Sequence, residues 1–584
     1  MDQKLDAQLS LSLSLSEEER KKSPLLNSGY ISETGVWKLI LLYNGSLSEI
    51  KEKVNFDFIP LLGNFAIIYI KTKDIPYLLS FPEILYIEPS RPLYQEALTG
   101  ISSSCFPDYN IVTGRNITKT PLTGRGTAIA IPDSGVDFRH PDFRTPEGNT
   151  RILSYWDQSL PYVPSPDNRY GLGTIFSAED LNGFLARPSD QLMEGPSVDT
   201  TGHGTHIAGI CAGNGRGSNG RNQGAAPEAS LIVIKLKNEA SSVYTDYANL
   251  MMAVDFSVRY SIHHQLPLSL NISYGSNDGS HTGSSLCELF LNQSLFYGKN
   301  SICVATGNEG LTRRHASFRI TDQKEEIRFS VSPGETSLYL TIWQAFADII
   351  TYRIFSPSGN ESFFVPQQPG IYTASLGGNT LSLVISDPTP YQTARQHFFS
   401  LVPALPGEFL TAGTWRITVE PRQIVDGRLH LWLPSRDATN AATGFASPAS
   451  SLTLTIPSTS SGVISVSGYD STIDVFAPFS GKGFSGFFET KPDLAAPAVN
   501  ILGPAPGGGY TIKTGTSMAA PFVAGAASLL MQYGIVNGND PFLFGQKLKA
   551  YLWAGARPLP AFREYPNDSI GWGALCVSES LPKR

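Results

Sequence analysis

A chain of 584 residues is longer than one hydrophobic core ordinarily serves, so roughly two to four domains are expected. With 41% hydrophobic and 16% charged residues, the composition is that of a packed globular protein and excludes a disordered or fibrous chain. A net charge of -7, with no long Lys/Arg block, argues against nucleic acid or a membrane as a partner.

The N-terminal stretch MDQKLDAQLSLSLSLSEEERKKSP alternates Leu and Ser and then turns charged. It lacks the basic start and unbroken apolar run of a secretory signal, and no segment reads as the roughly 18 apolar residues of a membrane span. The expectation is a protein made in the cytoplasm, not exported by a signal peptide, with its first 30 residues or so flexible. Between about Gly35 and Tyr94 follow a strand (WKLILLY), a helix opened by Ser46 or Ser48, two strands meeting near Gly63 and Asn64, a short helix after Asp74 and a closing strand (ILYIEP). The order βαββαβ is that of a ferredoxin-like module.

From Gly124 on, buried apolar runs (TAIAIPDSG, LIVIKL, LPLSLNIS, SICVATGN) alternate with helical stretches, the pattern of a parallel α/β sheet whose functional residues gather at strand carboxyl ends. Asp133 and Asn308 stand at such ends. Between about Arg319 and Pro434 short alternating strands separated by turn residues predict an inserted all-β sandwich. The expected domains are therefore 1–96, 97–318, the insertion 319–440, and 441–584. The five cysteines are scattered without a C-x-x-C pair, so no disulfide framework is expected and Cys211 and Cys303 read as small core residues.

Three segments carry the chemistry: Asp133-Ser134-Gly135-Val136-Asp137 after a strand, Gly202-His203-Gly204-Thr205-His206 opening a helix, and Gly515-Thr516-Ser517-Met518-Ala519-Ala520-Pro521 leading into another. A hydroxyl attacks an amide only with a base in reach and a third group orienting that base. Alone, each residue has a plainer explanation: Ser517 as a helix cap, Asp133 as a turn former, His203 as a packing histidine or, with His206, a metal ligand. Together, in this order, they resemble the three signatures of the subtilases, which implies Ser517 as nucleophile, His203 as base and Asp133 as its orienter.

The resemblance extends to Ala305-Thr306-Gly307-Asn308-Glu309-Gly310, implying Asn308 as an oxyanion-hole donor. It extends also to Asn271-Ile272-Ser273-Tyr274-Gly275, implying a substrate-pairing strand at Ser273, Tyr274 and Gly275 with Tyr274 walling an apolar pocket. It makes the N-terminal module a prodomain whose tail, Arg91 to Leu98, occupies the cleft and is cut between Tyr94 and Leu98. The layout, including a jelly-roll-like insertion with GTWRITV, is similar to the Csp germination proteases of clostridial spores. That implies incorporation in the spore and limited proteolysis of a cortex-lytic enzyme zymogen as substrate. The competing readings are a catalytically restrained, pseudoprotease-like sensor and a general degradative subtilase. No metal or other cofactor is assigned. Asp137, Asp142 and Asp157 are able to hold a cation such as calcium, but solvated loop charges are the simpler reading.

Overall fold

The computed structural model describes residues 2–96, 122–187, 195–238, 244–485 and 490–582, and the chain forms two compact units. The first gathers Met1–Pro92, Ser276–Leu286 and Glu309–Thr453; the second gathers Leu93–Gly275, Cys287–Asn308 and Leu454–Arg584.

In the first unit the strand Val36–Tyr43 pairs antiparallel with both Phe65–Lys71 and Ile84–Pro89, and Phe56–Pro60 pairs with Phe65–Lys71. With helices Leu47–Lys51 and Ile75–Leu79 between them, this is the ferredoxin-like βαββαβ arrangement. The first 30 residues are not a loose lead-in. Helix Ala7–Ser14 is capped by Asp6, whose Oδ1 accepts from Leu9 N–H at 3.2 Å. Residues two apart point to opposite sides of a helix and residues four apart to the same side. The alternating leucines therefore form two stripes: Leu9 and Leu13 pack into the βαββαβ core, whereas Ala7, Leu11 and Leu15 pack with Leu25 and Leu26 of the N-terminal segment and with Tyr339, Val384 and Phe398 of the inserted domain.

That insertion is a sandwich of a six-stranded and a five-stranded antiparallel sheet. Alternate residues of Leu338–Ala345, Ile349–Phe355, Asn379–Ser386 and Gly413–Gln423 point inward, and Leu340, Ile342, Tyr352, Leu383, Trp415 and Ile417 build its core. The compact unit takes in Glu309–Thr453, wider than the 319–440 read from the pattern, because the short strands His315–Arg319 and Gly444–Phe445 close its edges.

The second unit is built on a parallel sheet in the order Leu494–Pro497, Ile464–Asp470, Asn300–Ala305, Leu268–Ile272, Ala128–Asp133, Ser230–Lys235 and Ile152–Asp157, with short antiparallel strands Val475–Phe476 and Thr174–Ser177. Helix Thr516–Met531, buried at every residue, runs against it. With its continuation to Val536 it is long and apolar enough to cross a membrane by composition, contrary to the sequence reading. However, 78% of its most apolar window is buried inside the unit, as expected of a core helix that is hydrophobic all round. Cys211, Cys287, Cys303 and Cys576 are all buried, and burial pushes the Cys211 and Cys303 thiols well up. Cys105 lies outside the described residues.

Candidate active site

Each site residue stands where a regular element ends or begins. Asp133 is the last residue of strand Ala128–Asp133. His203 is the first of helix His203–Ala212, Ser517 the second of helix Thr516–Met531, and Asn308 follows strand Asn300–Ala305. The sheet carries Asp133 and Asn308 out at its carboxyl edge, and two helices present His203 and Ser517 from their N-terminal turns, where backbone N–H groups lack intrahelical partners.

Asp133 Oδ1 lies 2.7 Å from His203 Nδ1, with both side chains about 1% exposed. The carboxylate also accepts from Ser134 N–H at 2.7 Å. An Nδ1–H donated to Asp133 leaves Nε2 as the acceptor, and His203 Nε2 is buried with no protein partner. Gly204 permits this approach: a β-carbon there would collide with the Gly135 carbonyl and stand 3.1 Å from Asp133 Oδ1. Ser517 Oγ donates to the Ser273 carbonyl at 3.3 Å, so the serine hydroxyl is turned away from the imidazole. Asn308 Oδ1 accepts from Thr516 N–H at 3.0 Å and Thr516 Oγ at 3.3 Å. That fixes which end of the amide is oxygen and leaves Nδ2 as a donor.

The segment Leu93–Glu96 lies in this site as a peptide. Tyr94 and Gln95 pair antiparallel with Gly275 and Tyr274, and the strand Thr245–Asp246 flanks the other side. Glu96 N–H donates to the Ser273 carbonyl at 3.1 Å, and the Glu96 carbonyl accepts from Ser517 N–H at 3.1 Å. Tyr274 does not wall an apolar pocket. It is 2% exposed, its ring stands 6.3 Å from that of His203, and its hydroxyl accepts from Gln95 Nε2 at 3.0 Å. Burial, with Asp133 nearby, pushes its phenol well above the usual value and keeps it protonated. Ala97 and Leu98, at the end of the expected cleavage window, lie outside the described residues.

Two functional side chains escaped the sequence reading. Asp199, 2% exposed, accepts from Ser134 Oγ, Gly202 N–H, Thr205 N–H and Thr205 Oγ at 2.8, 2.9, 2.9 and 2.6 Å, tying the Asp133 turn to the His203 helix. Its position shortly before a Gly-His helix start was the available signal. Thr455 had none, since it lies 147 residues beyond Asn308 in sequence (455 less 308) and is brought back by its N–H donating to the Thr306 carbonyl at 3.0 Å.

His206 is not poised for a metal. Its Nε2 sits 3.0 and 3.2 Å from the Ile501 and Thr511 carbonyls, to which it can only donate, and burial lowers its pKa to about 3. Nor are Asp142 and Asp157 solvated loop charges, for both are fully buried. Asp142 accepts from Gly217 N–H and Tyr510 Oη, and Asp157 from the N–H and hydroxyl groups of Ser159 and Ser197. Asp137, half-buried, accepts from Arg139 and Gly507 N–H. Buried carboxylates with two or more donors organise the loops that carry those donors.

Comparison with known proteins agrees with this geometry. Residues 124–342 and 438–573 match the subtilase family model, and residues 3–89 match the Csp protease B prodomain. The solved structure of the Clostridium perfringens CspB protease superposes with a TM-score of 0.72 at 32% identity, covering 79% of this chain and 93% of that one. The PII-type proteinase of Lactococcus lactis subsp. cremoris is 26% identical over 460 residues, 72% of this chain. The minor extracellular protease Vpr of Bacillus subtilis is 19% identical over 559 residues, 92% of this chain and 62% of its own length. The chain spans only 23% of the lactococcal proteinase. With the family model matched over more than half its length and the three signature segments converging on one site, this chain belongs to the subtilase family.

Proposed function

We propose that the chain is a subtilisin-type serine endopeptidase that cuts itself after Glu96 and then acts by limited proteolysis. In this reading Ser517 Oγ turns from the Ser273 carbonyl to His203 Nε2, gives up its proton there and bonds to the Glu96 carbonyl carbon. Asp133 holds the imidazole in the required tautomer and stabilises the imidazolium. Ser517 N–H and Asn308 Nδ2 take the negative charge that develops on the carbonyl oxygen. Collapse breaks the bond to Ala97 nitrogen, which takes the proton from His203. Water, deprotonated by the same imidazole, then hydrolyses the acyl-enzyme.

The observation that carries the reading is the Glu96 carbonyl accepting from Ser517 N–H while Glu96 N–H donates to Ser273. A carbonyl oxygen held by the N–H of the nucleophile's own residue supports the bond after Glu96 as the one cut. The experiment is intact mass and N-terminal sequencing of the purified protein beside Ser517→Ala. A new N-terminus at Ala97 in the wild type and an uncut variant are expected; a cut elsewhere, or cutting of both proteins, refutes it.

The Csp prodomain and the likeness to the CspB protease support the narrower role, activation of a cortex-lytic enzyme zymogen in spore germination. A single cut in such a zymogen with folded bystander proteins left intact is the expected result, and broad degradation of casein would favour a general protease instead. The turned-away hydroxyl, with Ser517 fully buried under the tail, favours as second reading a restrained, sensor-like protein. Stoichiometric labelling of Ser517 by a fluorophosphonate separates the two.

A further inference from the structure

We infer that the pocket for the residue on the acyl side of the cut selects a glutamate-length polar side chain, Glu or Gln, over apolar ones. This rests on the endopeptidase reading above and names its substrate class.

The Glu96 side chain is buried, 6% exposed. Its Oε2 accepts from Asn308 N–H at 3.1 Å. Oε1 lies against the Cα of Gly275, where a β-carbon would collide with both Oε1 and Thr455 Oγ. A β-carbon on Gly307 would run into the same threonine side chain. Thus two glycines leave room for the side chain to enter, and Thr455 stands between them. Thr455 is 1% exposed and its hydroxyl has no hydrogen-bond partner. An unpartnered buried hydroxyl costs free energy until something pairs with it. Here it flanks the same point as the Glu96 carboxylate oxygen.

Asn308 N–H is a neutral donor, so it serves a carboxylate or a carboxamide oxygen alike, and the Thr455 hydroxyl, unpaired as the tail lies, is available to either. Leu or Phe in that place would strip Asn308 N–H of its acceptor and set carbon against a buried Thr455 hydroxyl that has no other partner. A site built to hydrogen-bond a polar group rejects an analogue without it far more strongly than an apolar pocket rejects a size change. The backbone N–H of Asn308 acts on specificity while its side chain is proposed to act on the oxyanion.

The test uses the full-length protein after self-processing, its active sites counted by fluorophosphonate labelling of Ser517, and internally quenched peptides of sequence Leu-Tyr-Gln-Xaa-Ala-Leu. With Xaa as Glu or Gln, kcat/KM should agree within about tenfold; with Leu, Phe or Lys it should fall at least 100-fold. Gly275→Ala, whose β-carbon would occupy the place of Glu96 Oε1, should leave the chain uncut after Glu96 by intact mass, and Thr455→Val should cut the preference for Glu over Leu about tenfold. Labelled enzyme that cleaves Leu or Phe as fast as Glu overturns the specificity and leaves the protease reading standing. Absence of labelling and of cleavage at every peptide overturns both.

Discussion

Replacing Asn308 separates two jobs held by one side chain. Asn308→Ala removes the Nδ2 donor proposed for the oxyanion, and loss of one such donor costs about 10²- to 10³-fold in kcat, or about 2.7–4 kcal/mol. It also strips the acceptor from Thr516 N–H and Thr516 Oγ, and a buried unpaired donor costs about 1–3 kcal/mol of stability. Asn308→Asp keeps the acceptor but turns a second negative oxygen toward the developing charge. The alanine variant should therefore lose both rate and thermal stability. The aspartate variant should recover stability and lose still more rate. KM should hold in both, because the effect falls on the transition state. The assay is steady-state hydrolysis normalised by fluorophosphonate titration, alongside thermal unfolding. An alanine variant within threefold of wild-type kcat would refute the role of Nδ2, and an aspartate variant no more stable than alanine would refute the role assigned to Oδ1.

Other outcomes follow from the buried polar groups. Asp199→Ala leaves Ser134 Oγ, Gly202 N–H and Thr205 N–H without their acceptor, so a loss of about 3 kcal/mol or more is expected in chemical unfolding, together with a fall in kcat. Gly204→Ala should inactivate, since its β-carbon meets the Gly135 carbonyl; fluorophosphonate labelling at the wild-type rate would contradict this. In the first unit Arg91 pairs with Asp6, Glu88 and Asp278 at 2.7, 3.1 and 3.5 Å, all buried. Burial, opposed by Arg91 and reinforced by Asp6, raises Glu88 from 4.5 to about 7 and Asp278 from 3.8 to about 6. The folded state thus holds protons that the unfolded chain has released, and stability should fall as pH rises from about 4 to 7. Glu88→Gln should flatten that slope in thermal unfolding followed from pH 5 to 8; an unchanged slope would refute it. Leu11→Ala should cost roughly 2–5 kcal/mol, read as earlier proteolysis of the N-terminal helix.

The triad segments were legible because each is local: a strand end, a helix start and a glycine-flanked turn are short-range features that a sequence displays directly. The βαββαβ order, the parallel-sheet strands and the sandwich strands were legible for the same reason, through hydrophobic period. The sequence by itself thus determined the elements and the three chemical groups. It left open whatever depends on which surfaces meet. Alternating leucines at the N-terminus look like a strand pattern or a flexible tract until two separate cores are available for their two stripes. Helix Thr516–Met531 does not read as a membrane span in sequence, and only with its continuation to Val536 does it reach the length and apolar character of one, in a helix that the unit buries. Asp142 and Asp157 are indistinguishable from surface charges until distant N–H groups and hydroxyls surround them. Thr455 acquires a role only because the chain returns, after the whole insertion, to Gly275 and Gly307. Side-chain chemistry is encoded locally, whereas burial and pairing are set by contacts between residues far apart in sequence, and those exist only once the fold has closed.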